Sequence, residues 1–442
     1  MMFNTKKITL VGLMTGLITG GAILPAQAAV DSEVAFILNS LLFLIGGFLV
    51  MWMAAGFCML EAGLVRTKNV ATMCLKNISL YAIAGILYFL IGYNLMYSGV
   101  DGGFIGSLSL WSASETAAQE AVKLDGGYAS ASDWFFQMVF VATAASIVSG
   151  TLAERIKLFP FLAFVVVLTG FIYPIQGAWT WGAGWLSAAG FSDFAGSTIV
   201  HSVGGWAALT GAIILGARQG KYSPTGQVRP IPGSSLTLAT LGTFILWLGW
   251  FGFNGASQLA LGSAIDAVAV SQIFANTNMA AAGGVVAALA LTKLLYKKVD
   301  LTMVLNGALA GLVSITAEPL TPTIGQAILI GAVGGALVVF TVPLLDKFKI
   351  DDVVGAIPVH LICGIWGTLA VPLTNDGASF VTQVMGVAAI GAFVAATSIV
   401  MWMLLKYTVG IRVSAEDESR GGDLAELGME AYPEFGHGSQ KI

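Results

Sequence analysis

The chain has 442 residues, of which 57% are hydrophobic and 10% are charged, and its formal net charge is −4. Soluble domains are about 25% charged and have no interior for so much apolar surface, so the composition excludes a soluble protein and predicts a membrane protein with many spans. Three scattered cysteines, Cys58, Cys74 and Cys363, exclude a disulfide framework or a zinc site.

The first 28 residues have the pattern of a signal peptide. Two lysines precede an apolar run from Ile8 to Leu24, and Ala26-Gln27-Ala28 has the small residues of a cleavage site. Residues 1–28 are therefore expected to be removed, which leaves a mature N-terminus outside the membrane. The alternative interpretation is a retained first span.

The rest of the chain predicts eleven membrane-spanning helices, because each span needs about 20 mainly apolar residues. They are expected at 35–62, 78–99, 132–152, 158–179, 198–217, 235–256, 272–296, 301–317, 325–345, 353–373 and 382–407. The prediction is an all-α polytopic membrane domain over residues 29–413, followed by a cytoplasmic regulatory tail over residues 414–442.

Basic residues alternate between the two sides of the predicted membrane domain. Those that follow the odd-numbered spans are Arg66, Lys68, Lys76, Arg155, Lys157, Arg218, Lys221, Arg229, Lys293, Lys297, Lys298, Lys347, Lys349, Lys406 and Arg412. The alternate loops hold one basic residue, Lys123. The positive-inside rule therefore predicts an outside N-terminus and a cytoplasmic C-terminus, in the cell (inner) membrane. An odd number of spans requires the same arrangement.

Two of the three histidines lie in apolar spans, each eight residues after an aspartate. The segments are Asp193-Phe-Ala-Gly-Ser-Thr-Ile-Val-His201 and Asp352-Val-Val-Gly-Ala-Ile-Pro-Val-His360. They are five spans apart and so enter the membrane in opposite directions, which indicates an inverted repeat of spans 1–5 and 6–10 with the eleventh outside it. The segments also share glycines at 196 and 355 and at 205 and 364.

Each histidine lies about 12 Å of helix from its aspartate, so the two imidazoles are expected to meet near the midplane. Titratable side chains inside a bilayer are costly and indicate function. We find no charged neighbour for His201 and His360 in the nearby spans, and burial disfavours the charged form, so both are expected to be neutral. The alternative interpretation is a pair of core histidines that pack between helices.

Aromatic residues surround the expected outer entrance. The connection between the fourth and fifth spans carries Trp179, Trp181 and Trp185, and phenylalanines lie in the third and sixth spans. A ring face attracts a cation by about 0.5–2 kcal/mol. Tryptophans also anchor helices at the membrane interface, and phenylalanines pack against lipid or neighbouring helices, so the residues alone leave both interpretations open.

Several stretches together resemble the ammonium transporter (Amt/Mep/Rh) family, nearer its Amt branch. They are the two Asp-x7-His segments, Gly249-Trp-Phe-Gly-Phe-Asn-Gly-Ala-Ser257, Ala153-Glu-Arg-Ile156 and Glu61-Ala-Gly-Leu-Val-Arg-Thr-Lys-Asn69. The resemblance covers nearly the whole mature chain and implies a homotrimer with a separate pore in each subunit.

The resemblance also implies an outer recruitment site for ammonium, a gate of stacked rings and a lined pore. The recruitment residues are Trp181, Ser257, Phe140 and Asp193. The gate residues are Phe140 and Phe253. The pore-lining residues are His201, His360, Trp250 and Thr316. For Asp193 the resemblance implies a role in ordering the backbone near the vestibule, and an acid favoured by the helix dipole is the alternative.

The tail segment 422–432 resembles the family's regulatory C-terminal segment, which implies contact between subunits and a nitrogen-signalling partner of the PII type. Two departures from the family pattern are visible. Leu427 stands where many members have histidine, and Gly255-Ala256 replaces the common Ala-Gly.

The expected activity is therefore ammonium transport, in which ammonium loses a proton and ammonia passes the histidines. Two routes stay open for the proton: it leaves outward, or it follows separately through the histidine pair and water. We expect no enzymatic activity, cofactor or metal. The alternatives are an ammonium sensor that signals through its tail, a membrane redox protein with His201 and His360 as axial haem ligands, and an Rh-like channel for neutral gas.

Overall fold

The computed structural model describes residues 30–117, 119, 123–124 and 127–435, so the predicted signal peptide lies outside the described residues. Within these residues the regular structure is helical, with isolated bridge pairs and no β-strand. Eleven apolar helices follow the order of the predicted spans. They are α1 (Ser32–Leu64), α2 (Thr67–Tyr97), α3 (Ser130–Thr151), α4 (Leu158–Ala178), α5 (Ser197–Leu215), α6 (Leu236–Gln258), α7 (Ala264–Tyr296), α8 (Leu301–Ile315), α9 (Ile324–Lys347), α10 (Ile357–Leu373) and α11 (Phe380–Thr408).

The predicted all-α polytopic class is confirmed. Nine of the helices among the described residues are long and apolar enough to cross a membrane. The other two, α8 and α10, are shorter, so the count of eleven spans stays a prediction.

Side-chain caps set where several helices begin. The Thr323 hydroxyl and the Gln326 side chain form a reciprocal capping box at the start of α9, and Ser263 accepts a hydrogen bond from the Asp266 amide at the start of α7. Capping satisfies amide groups that have no partner within the helix. The Ser263 cap explains why α7 begins at Ala264 rather than at the predicted residue 272.

The helix contacts repeat between the two halves. In α1–α5 the first helix packs on the third, the second on the fourth and the third on the fifth, and α6–α10 have the same set of contacts. Between the halves, equivalent helices meet, because α1 packs along α6 and α5 packs against α10. Helix α11 packs on α5, outside this scheme. This is the packing that an inverted repeat requires.

Two equivalent glycines let α5 and α10 cross closely. A Cβ at Gly205 would lie 2.6 Å from the Leu361 Cβ, and a Cβ at Gly364 would overlap the Ser197 carbonyl oxygen. Small residues at a helix crossing allow this backbone approach. The crossing brings together the segments that carry the two histidines.

Three basic residues of the predicted inner loops, Lys76, Arg155 and Arg218, are instead buried in the protein. Lys76 lies within α2, is 1% exposed and donates a hydrogen bond to the Ser149 carbonyl oxygen. Arg155 is 0% exposed and donates to the carbonyl oxygens of Thr151 and Asp351. The other basic residues keep the alternation, and the orientation stays a prediction.

The tail continues along the protein to residue 435 and contains a short helix, α12 (Ala415–Arg420). The Asp423 carboxylate accepts hydrogen bonds from the backbone amides of Ala71 and Thr72, and the Glu426 carboxylate accepts one from the Leu158 amide. The tail is therefore held at one end of α2 and of α4. Its predicted regulatory role stays a prediction.

Candidate functional site

Both histidines lie on π-helical turns that interrupt their helices, Ser197–Ser202 and Ile357–Ile362. Such turns are rare and occur frequently at functional sites. Each turn follows a glycine with positive φ, +107° at Gly196 and +83° at Gly355. Side-chain-bearing residues seldom adopt this conformation, which explains the glycine shared by the two segments.

Asp193 fixes the start of α5. Its Oδ1 accepts hydrogen bonds from the Gly196 and Ser197 amides, and its Oδ2 accepts from the Thr198 and Ile199 amides. The four distances are 2.8–3.1 Å. The carboxylate is buried and fully used as a helix cap. Its predicted place in substrate recruitment stays a prediction, and the geometry gives it a positioning role.

Asp352 likewise caps the start of α10, but its two carboxylate oxygens do not share the hydrogen bonds in the same way. Its Oδ1 accepts from the Val354 and Gly355 amides and from the Thr151 hydroxyl. Its Oδ2 accepts from the Ile357 amide, at 2.7 Å. Both aspartates therefore hold the backbone that carries a histidine.

The structure brings His201 and His360 together at the crossing of α5 and α10. Their Nδ1 atoms are 3.2 Å apart, the ring centroids are 5.2 Å apart and the ring planes differ by 23°. The side chains are 0% and 2% exposed. One Nδ1 must carry the proton and the other must accept it. This direct contact leaves no room for a haem iron between the two Nδ1 atoms.

Aromatic packing fixes the His201 ring from two sides. Its centroid lies 4.9 Å from the Trp250 ring and 5.1 Å from the Phe253 ring, and both pairs are stacked. Trp250 Nε1 donates to the Thr316 hydroxyl at 2.8 Å, and that hydroxyl donates to the Leu312 carbonyl. Trp250 thus flanks the histidine, while Thr316 orients Trp250 from behind.

We call outer the side that the charge pattern predicts to face outside. On that side of His201, the Phe140 and Phe253 rings lie 4.1 Å apart and tilt by 31°. Both are fully buried. Phe253 also stacks on His201, and Phe140 lines the next cavity, so the two rings lie between that cavity and the histidines. Their role as a gate, which the resemblance implies, stays a prediction.

The outer cavity beyond these two rings has a volume of about 110 Å³. Its lining residues are Phe136, Gln137, Phe140, Trp181, Phe194, Ser257 and Leu259. It therefore brings together three of the four predicted recruitment residues. The Trp181 ring stands edge-on to Phe140 at 6.0 Å, and its Nε1 donates to the Asp193 carbonyl oxygen.

Ser257 presents a hydrogen-bond acceptor to this cavity. Its hydroxyl donates to the Phe253 carbonyl oxygen at 2.7 Å. A hydroxyl has one proton and two lone pairs, so the remaining capacity of this oxygen is to accept. The cavity thus offers aromatic faces and an acceptor, which suits a small cation with N–H groups.

The inner side contains residues that the sequence did not single out. The Phe57 ring lies 6.0 Å from the His360 ring, and Glu61, one turn later on α1, lines a small cavity together with His360. The expectation that no charged residue lies near the histidines is therefore wrong. Because Glu61 is far from both histidines in the sequence, only the folded structure, in which α1 and α10 line one cavity, reveals it.

An ion-pair network holds the loop before α10. Arg218 donates to Asp351 through its backbone amide, Nε and Nη2, at 2.8–2.9 Å, and its Nη1 lies 3.6 Å from Glu154. Burial alone would raise the pKa of Asp351, but the hydrogen bonds from Arg218 and the charges of Arg155 and Arg218 lower that pKa below its ordinary value. Asp351 therefore stays ionised and keeps this loop in place.

The profile of the Ammonium Transporter Family matches residues 41–432. The chain belongs to the ammonium transporter family. Ammonium transporter Amt2 of Archaeoglobus fulgidus is 41% identical over 422 residues, covering 89% of this chain and 87% of the relative. The ammonium transporter of Bacillus subtilis is 33% identical over 406 residues, covering 87% and 96%.

Solved structures of this ammonium transporter family have the same fold. A protein described as a sensor Amt protein superposes with a TM-score of 0.83 at 35% identity and covers 90% of this chain and 100% of its own. Mep2 of Candida albicans superposes with a TM-score of 0.77 at 26% identity and covers 92% and 93%. The predicted family is confirmed.

Proposed function

We propose that this ammonium transporter family member moves ammonium across the cell membrane by separating it into ammonia and a proton. The observation that carries the proposal is one continuous column of rings. It runs from the outer cavity through Phe140 and Phe253 to His201 and His360, whose Nδ1 atoms are in contact.

Recruitment takes place in the outer cavity. Trp181 and Phe140 supply ring faces, worth about 0.5–2 kcal/mol for a bound cation. The acceptor lone pairs of Ser257 take one N–H group of ammonium. Asp193 acts indirectly, because its own oxygens are used by four backbone amides while its carbonyl positions Trp181.

The step beyond the gate favours a neutral molecule. Moving a bare ion into an apolar medium costs tens of kcal/mol in the dry limit. The N–H bond of ammonium breaks as the proton passes to His201 Nε2, which removes the charge from the substrate. Ammonia then passes the imidazole edges as a hydrogen-bonded guest. Potassium has no proton to lose, so the same barrier excludes it.

The two histidines pass a proton from one ring to the other through their shared hydrogen bond. When His201 donates through its Nδ1–H, its Nε2 is free to accept a proton, and the accepting His360 holds its own proton on Nε2. A proton that binds His201 Nε2 shifts the shared Nδ1 proton to His360. The Nε2–H bond of His360 then breaks and releases one proton inward.

Currents from proteoliposomes on a solid-supported membrane test this proposal. The wild type should give a saturable ammonium-dependent current, and His201→Ala and His360→Ala should lower it at least tenfold. The third histidine supplies a matched control, since His437→Ala should keep the wild-type current. Ammonia entry without any current in the wild type would contradict charge transfer and favour the Rh-like alternative.

One relative favours a second function. The structure with a TM-score of 0.83 is described as a sensor Amt protein, and the tail of this chain is held against α2 and α4. As a sensor, the chain would bind a partner through its tail with negligible ammonium flux. The current measurement separates the two functions, because a sensor gives no saturable current.

We also propose the assembly and location that the resemblance implies. The chain would form a homotrimer in the cell (inner) membrane, with the tail of residues 414–442 in the cytoplasm as the docking site for a PII-type protein. Residues 1–28 would be cleaved as a signal peptide. Mass measurement of the purified protein in detergent, with and without a PII protein, tests these points together.

A further inference from the structure

A small cavity lies on the inner side of His360. Its volume is about 10 Å³, which is near the minimum for one water molecule. The polar side chains in its lining are Glu61, Ser146, Asn306 and His360, among apolar residues of α1, α3, α8 and α10. It therefore connects the histidine pair with a buried carboxylate.

Glu61 is only partly satisfied by its neighbours. The side chain is 1% exposed, and Oε2 accepts hydrogen bonds from Asn77 Nδ2 at 2.9 Å and from the Ser149 hydroxyl at 2.8 Å. Oε1 is also buried, and within the described part of the chain it has no hydrogen-bond partner. A buried carboxylate oxygen without a partner is costly, so this atom indicates a water or a proton as its ligand.

Lys76, the basic residue of the hydrogen-bond network around Glu61, forms no ion pair with the Glu61 carboxylate. Lys76 donates to the Ser149 carbonyl oxygen at 2.9 Å and lies 4.5 Å from the Phe161 ring centroid. Among the described residues no basic side chain lies within ion-pair distance of Glu61. Ser149 thus links the two charges while leaving Oε1 available.

The small cavity also adjoins the inner vestibule. That vestibule has a volume of about 420 Å³ and its lining includes Arg218, Asp346 and Asp352. Asn306 and Val354 line both spaces. A proton on Glu61 is therefore separated from the vestibule by one layer of side chains.

We propose that Glu61 accepts the proton that leaves the histidine pair and passes it to the inner vestibule. This inference rests on the proposed function. The Nε2–H bond of His360 breaks as one water in the small cavity takes that proton, and the water gives one of its own to Glu61 Oε1. The carboxylic acid then releases the proton past Asn306, which restores the carboxylate.

Glu61→Gln tests the proposal, because it keeps the size and a hydrogen-bonding head group but cannot take up a proton. Proteoliposomes that contain a pH-sensitive dye should be given an inward ammonium gradient, and current and internal pH should be recorded together. We expect Glu61→Gln to lower the current at least tenfold while ammonia entry continues, so that the interior becomes more alkaline. Glu318→Gln, at another buried glutamate, should match the wild type.

Two outcomes would overturn the assignment. One is a wild-type current in Glu61→Gln, and the other is equal loss of current and of ammonia entry, which identifies a structural role. If this variant fails to fold, Glu61→Gln/Lys76→Gln removes both buried charges and is judged by the same two readouts. Failure of the proposed function is distinct, because the wild type itself would then give no current.

Discussion

The outer and inner histidine segments begin alike and face different surroundings. In each, an aspartate binds backbone amides, a glycine adopts positive φ and a π-helical turn presents the histidine. His201 then stacks on Trp250 and Phe253 beneath the aromatic outer cavity. His360 instead lies beside Phe57 and lines a small cavity together with Glu61.

This difference separates two tasks within the repeat. The shared backbone arrangement sets the depth and direction of both histidines, so it has to be the same in both halves. The side chains around each ring determine the chemistry, and those differ. In the function that we propose, the outer half offers rings and an acceptor to a cation, whereas the inner half offers a carboxylate to a proton.

Acidic replacement of either histidine should have the largest effect on this arrangement. A carboxylate 4 Å from a cation contributes about 4 kcal/mol at an effective dielectric constant of 20, which corresponds to about a thousandfold in rate. We therefore expect His201→Glu and His360→Glu to admit potassium about a thousandfold faster than the wild type. Potassium flux into proteoliposomes measures this.

Neutral replacement supplies the control for this prediction. His201→Gln and His360→Gln remove the imidazole without adding charge, and both should keep potassium out. Equal potassium rejection by the glutamate and glutamine variants would show that exclusion does not depend on the neutrality of the pore centre.

Much of this arrangement follows from the sequence. The apolar segments are visible because the bilayer demands apolar runs of fixed length, and the structure has an apolar helix at each of them. The matched spacing of Asp193 to His201 and of Asp352 to His360 indicates the repeat, because equal helical rise gives equal depth. The sequence shows which residues are aromatic, but it does not show which of their rings stack.

Other features depend on tertiary packing that the sequence does not display. Lys76 and Arg155 look like loop charges, yet they are buried because carbonyl oxygens of neighbouring segments satisfy them. The π-helical turns require the aspartate caps and the glycine conformations together. Glu61 belongs to one of the stretches that resemble the ammonium transporter family. Its position near His360 is not visible there, because it depends on α1 and α10 lining one cavity.

The two aspartates give a quantitative contrast between the halves. Asparagine keeps one carbonyl oxygen but presents an amide group in place of the other. At Asp193 this removes two hydrogen bonds, and at Asp352 the loss of Oδ2 removes one. Hydrogen bonds to a charged group contribute about 1.5 kcal/mol each, so Asp193→Asn should destabilise by about 3 kcal/mol and Asp352→Asn by about half as much.

Unfolding of the purified variants in detergent measures this contrast. Asp376→Asn, at an exposed aspartate of the loop before α11, is the control and should behave like the wild type. Equal destabilisation at Asp193 and Asp352 would mean that the bonding pattern does not set the stability of the two turns.

Ser257 should give the smallest effect, and the effect should be confined to the outer half. Its hydroxyl donates to the Phe253 carbonyl and leaves only acceptor capacity for the cavity. Ser257→Ala removes one hydrogen bond to a cation, about 1.4 kcal/mol, which raises the ammonium concentration for half-maximal current about tenfold. The maximal current should not change, because the gate and the histidines are untouched. Ser271→Ala, at an exposed serine of α7, should leave the half-saturating concentration unchanged. A lower maximal current with unchanged half-saturation in Ser257→Ala would place this residue in the conduction step instead of recruitment.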